Sequence, residues 1–119
     1  MPNRKPLLLW LGRNSAYDGP ILPPAASGLT VTAADDTTDN TNTIVQVSTS
    51  AGIGNKFVYK TTAGTITTPK VGDVLTGWTD LPGTGSIAAN DGDNVYVAEV
   101  KTATNKVVKF GSATAVVTP

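Results

Sequence analysis

The sequence predicts an all-β domain, a sandwich of about seven short strands preceded by an extended, proline-rich N-terminal arm. Three observations lead there. The 119 residues include 19 threonines and 13 valines, and β-branched side chains are stiff at χ1 and suit a pleated, half-buried surface. Twelve glycines and eight prolines punctuate the chain at short intervals and mark turns. No segment sustains a 3.6-residue apolar period, so little or no helix is expected. The length fits one domain. Its core should be thin, because a chain of this size buries only about two-thirds of its unfolded surface.

Residues 1–28 read as the arm and 29–119 as the sandwich. Prolines 2, 6, 20, 23 and 24 remove backbone donors and bias their predecessors toward extended conformations. Within the arm, Leu7, Leu8, Leu9, Trp10 and Leu11 form an apolar run too short for an isolated helix. Two readings stay open: a first strand of the same fold, or an anchor that docks on a neighbouring subunit. The second is the expected partner-binding site, since an uncovered run of this kind invites aggregation.

From Leu29 the pattern is β. Residues 29–32 alternate. Residues 35–42 form a polar, acidic loop. In 43–49, Val45 and Val47 share one face, opposite Ile44, Gln46 and Ser48. Residues 52–55 turn, and 56–60 place Phe57 and Tyr59 opposite Lys56, Val58 and Lys60. Residues 61–69 are irregular or a short strand around Ile66, 71–75 lead as a strand to Trp78, and Leu81, Pro82 and Gly83 turn again. A short strand follows at 86–88, then a strong turn cluster at 90–93. Residues 94–100 set Val95, Val97 and Glu99 against Tyr96, Ala98 and Val100. A hairpin turn at 103–105 returns through strand 106–110, and 113–117 is expected as a separate last strand. Strands at such spacing suggest a sandwich.

Nine basic and nine acidic residues balance. Nucleic-acid binding, which draws on a basic surplus, is therefore not expected. Histidine and cysteine are absent, which removes the commonest general base, the commonest metal ligand and every thiolate or disulfide. No nucleophile elbow, P-loop or dinucleotide fingerprint occurs. Asp35, Asp36 and Asp39 share one loop, and Asp91 and Asp93 another. Neither has EF-hand spacing, and both read as turn residues that cap their own backbone. Glu99 reads as a cross-strand partner of a lysine such as Lys109. Trp78, Tyr59 and Tyr96 would form a sugar-stacking platform only if exposed and coplanar; core packing is the stronger expectation. No catalytic residue, metal or cofactor is expected, and the chain reads as a non-enzyme.

Arg4 and Lys5 before the apolar run look like a signal peptide, but five apolar residues fall short of the ~7–15 of an h-region. No stretch approaches the ~20 apolar residues of a membrane span. The expectation is a protein made in the cytosol and kept whole, with no membrane partner.

Residues 56–60, 68–75, 77–79, 91–100 and 106–111, containing KFVYK, TPKVGDVL, GWT, DGDNVYVAEV and KVVKFG, resemble small Ig-like β-sandwich modules of Gram-positive surface-layer-associated proteins and of phage structural proteins. The resemblance covers residues 43–117 and rests on packing and turn motifs. With a single copy behind a short arm, it is similar to a phage head decoration (cement) protein. That resemblance implies a virion structural protein on the particle surface, assembled in the host cytoplasm. It would be a homo-oligomer, such as a trimer, docked by its arm on the major capsid or another virion protein. The alternative it implies is a bacterial cell-surface or carbohydrate-binding module.

Overall fold

A computed structural model describes residues 24–118. Among them are seven strands and no helix: β1 (Val31–Asp35), β2 (Asn42–Val47), β3 (Asn55–Thr62), β4 (Thr79–Asp80), β5 (Ser86–Ala88), β6 (Asn94–Lys101) and β7 (Val107–Thr114). They form a three-stranded sheet, β1-β2-β5, and a four-stranded sheet, β4-β3-β6-β7, with every strand pairing antiparallel. This is the expected all-β sandwich, with the sheet order of an Ig-like fold.

The alternation in the sequence explains the layers. Val31, Val45 and Ile87 point inward from the first sheet and meet Val95 and Val97 of β6, with Phe57, Tyr59 and Ala113 partly buried beside them. The opposite face of the second sheet is also covered. Val58, Tyr96, Ala98, Val100, Val107 and Phe110 form a second core there, roofed by Ile66, Leu75 and Trp78 of the long 63–78 connection and by Ala26. Phe110 stacks on Tyr96 at 6.0 Å and meets Trp78 edge-on at 6.4 Å. Strand β6 is thus buried on both faces from Val95 to Val100. A strand with two apolar faces reads as such in sequence, but which face meets which layer does not.

Two elements differ from expectation. Residues 106–110 and 113–117 are not separate strands: β7 runs unbroken through Gly111 to Thr114. Glycine is needed there because a Cβ on Gly111 would collide with the Leu29 carbonyl oxygen and crowd Val31 Cγ2 at 2.9 Å. Residues 71–75 carry no strand beyond a bridge from Val74 to Lys106; the fourth strand is the two-residue β4 instead.

Residues 24–28 lie against the sandwich. Ala25 bridges Lys70, Gly28 runs parallel to Phe110, and Leu29 N donates to Phe110 O at 3.2 Å. This segment covers the outer edge of β7 and buries Ala26, which removes one exposed sheet edge.

Candidate interaction surface

Leu7, Leu8, Leu9, Trp10 and Leu11, the sequence-predicted docking residues, lie outside the described residues. What the structure positions is the domain behind them.

Asp36 is buried at the end of β1. Its Oδ1 accepts from the Thr38 N–H at 3.0 Å and Thr38 Oγ1 at 2.7 Å, and its Oδ2 accepts from Ser86 Oγ at 2.6 Å. Those bonds, Ser86's first, hold its carboxyl below the usual aspartate value against partial desolvation. Asp39 repeats the turn with Thr41, whose hydroxyl and N–H lower its carboxyl likewise. Asp93 accepts from the Asn90 N–H. Asp91 and Asp35 accept from the amides of Val117 and Thr118 at 3.1 and 2.7 Å. The buried Thr43 accepts from Val116 N at 3.3 Å and donates to Ala34 O. The acidic loops cap their own turns and hold the C-terminal tail across one end of the sandwich. Among the described residues no cluster of three potential ligands forms a metal site.

Glu99 is 3% exposed. It stands opposite Lys109 in register, but its direct partners lie elsewhere: Oε2 accepts from Asn55 Nδ2 at 2.8 Å and from the Gly52 N–H at 3.0 Å. Burial pushes its carboxyl up; the Asn55 amide, the Gly52 N–H and the Lys109 charge outweigh it, so the group sits below the usual glutamate value. The consequence is a braced turn whose tip, Ile53, is fully exposed. Sequence reasoning passed over Ile53, although an isoleucine between two glycines at a turn tip is a legible signal. Tyr59 and Trp78 belong to opposite faces of the second sheet, so they and Tyr96 make no common platform.

The layout has two poles. One carries Asp35, Asp36, Asp39, Asp91 and Asp93 and the exit of the chain. The other carries the β6–β7 hairpin with Lys101 and Lys106, the 52–55 turn, and the entry of the chain at Ala25 beside Lys70. Entry lies level with Val107 and exit lies past Thr114. The separation is therefore one full strand, about 25 Å at ~3.3 Å per residue.

At the entry pole, on the edge away from β7, lies an open groove of about 730 Å³ lined by Val45, Val47, Phe57, Leu81, Pro82 and Gly85 among others. It exists because β5 is short. β2 pairs with β5 only over Asn42, Thr43 and Ile44. One further bond, Val45 N to Gly85 O at 2.8 Å, precedes the turn closed by Gly85 N to Pro82 O. Gly85 has φ +77°, and a Cβ there would collide with the Val45 carbonyl oxygen, so the turn packs directly on β2.

No family model matches the chain, and no curated protein matches it. Among solved structures, domains 7, 8 and 9 of the S-layer protein SbsC are similar over 77% of this chain and 27% of that one, with TM-score 0.61 and 23% identity. A structure of domains 4–9 of surface layer protein SbsC is similar over 77% of this chain and 14% of that one, with TM-score 0.60 and 23% identity. The chain thus spans about a quarter or less of either structure. What it shares with these surface-layer domains is a sandwich fold.

Proposed function

We propose that this chain is a non-enzymatic structural module of a bacterial cell surface, one link in an extracellular protein coat. The observation that carries the reading is the polar layout: the chain enters the sandwich at one end and leaves at the other. Such a domain transmits its path end to end and suits serial or lattice assembly. The fold likeness to S-layer domains supports it, and favours this second sequence reading over capsid decoration. The Asp, Thr and Asn side chains of the loops close turns.

The test is antibody labelling of intact cells of the source organism and, in parallel, of virus particles purified from the same culture. Label on the cell envelope is the expected result. Label confined to the particles would overturn the surface reading and restore the capsid-decoration one.

A further inference from the structure

We infer that the groove beside β2 receives residues 7–11 of a second copy of this chain as an added strand. Three features of the groove support this. First, β2 has an unpaired edge there. Ser48 N donates to Thr30 O on the β1 side, and Val45 N donates to Gly85 O on the β5 side. Since hydrogen-bonding direction alternates along a strand, Val47 presents its N–H and C=O on the β5 side. The chain that would pair with it has already turned away at Pro82 and Gly83, and Val47 has no backbone partner on that side among the described residues. Second, Val47, Phe57 and Leu81 are only partly buried beside this edge, in a groove whose remaining lining is largely Thr, Ser and Gln side chains. Third, Gly83 on the rim leaves open space, with nothing within 4 Å of where its Cβ would stand.

The occupant follows from the chain that precedes Pro24. An extended peptide adds to a sheet edge through its main chain and is selected by alternate side chains. Residues 7–11 alternate so that Leu7, Leu9 and Leu11 share one side, and these three leucines would cover Val47, Phe57 and Leu81. Residue 11 is thirteen positions before Pro24, a reach of up to about 45 Å. Pro20, Pro23 and Pro24 stiffen that connection, which favours a second copy over a return to the same domain. The charges on the groove rim, Lys56 and Asp80, pair with each other at 2.9 Å, so the main chain and the leucines carry the recognition. The link is independent of where the protein resides, so it stands or falls apart from the surface role.

The absence of native cysteine makes the test direct. Full-length chains carrying Leu7→Cys, Leu9→Cys or Leu11→Cys are mixed, one at a time, with full-length Gly83→Cys and oxidised. A disulfide-linked heterodimer from at least one mixture is expected, and its loss when the partner carries Gly64→Cys instead. Gly64 is open and exposed at the opposite pole. No heterodimer, or equal yield with Gly64→Cys, overturns the proposal. So does a double variant, Leu9→Cys with Gly83→Cys, that closes only within one chain. As a second measurement, Leu9→Pro removes a main-chain donor from the arm and leaves the sandwich untouched. Sedimentation should show self-association lost in this variant, and an unchanged profile would also refute the inference.

Discussion

Glu99 is the group whose removal tests the physical account most sharply. Its Oε2 is the single acceptor for both the Gly52 N–H and the Asn55 side-chain amide. Hydrogen bonds to a charged group contribute about 1.5–3 kcal/mol each, and an orphaned buried donor adds a desolvation penalty. Glu99→Ala should therefore cost about 3 kcal/mol, a large share of the ~5–15 kcal/mol typical of a domain. In urea this lowers the midpoint by roughly 1.5–3 M for an m-value of about 1–2 kcal/mol/M. Glu99→Gln keeps one carbonyl oxygen for both donors but loses the charge and puts an NH2 donor in place of the second oxygen, so about 1 kcal/mol or more is expected at neutral pH. The pH dependence supplies the sign. The folded-state carboxyl is held below its ordinary value, so the unfolded chain binds the proton more readily. The stabilisation is complete above the unfolded pKa of about 4.3 and is lost as pH falls through the lower folded value. Urea curves followed by circular dichroism, at neutral pH and in acid, measure both effects. The stability gap between the parent and Glu99→Gln should shrink on acidification. A gap that stays constant, or a Glu99→Ala variant as stable as the parent, would refute this account of the braced turn.

Gly85→Ala should destabilise by about 2 kcal/mol or more, since a left-handed backbone and a clash with the Val45 carbonyl act together; Gly64→Ala, with open space around it, should fall within about 0.5 kcal/mol of the parent in the same melt. Gly111→Ala should separate the 24–30 segment from β7. Its signature is faster amide exchange at Leu29 and Phe110, which bond across that contact, and unchanged protection there would count against the close approach.

Much of the strand pattern was legible in the sequence. Val45 and Val47, Phe57 and Tyr59, and the two apolar faces of residues 95–100 alternate with the period of a pleated chain, and that period is a local property of the backbone. The turns at 52–55, 90–93 and 103–105 were legible for the same reason: Gly, Asn and Asp satisfy turn geometry within three or four residues. Residues 106–110 and 113–117 read as two strands in the sequence, whereas one strand runs through Gly111. The small size of that glycine answers to Leu29, some eighty positions away, and no local pattern reports that contact.

Sequence alone determined that this chain forms a thin all-β sandwich without histidine or cysteine chemistry, because composition and alternation decide what can be buried and what can react. Only the tertiary structure decided that Glu99 bonds to the 52–55 turn and not to Lys109, that β6 is covered on both faces, and that, among the described residues, the short β5 leaves the end of β2 unpaired beside a groove. Each of these depends on which distant segments share a layer. That outcome is set by packing the whole chain at once, and the spacing of neighbouring residues does not encode it.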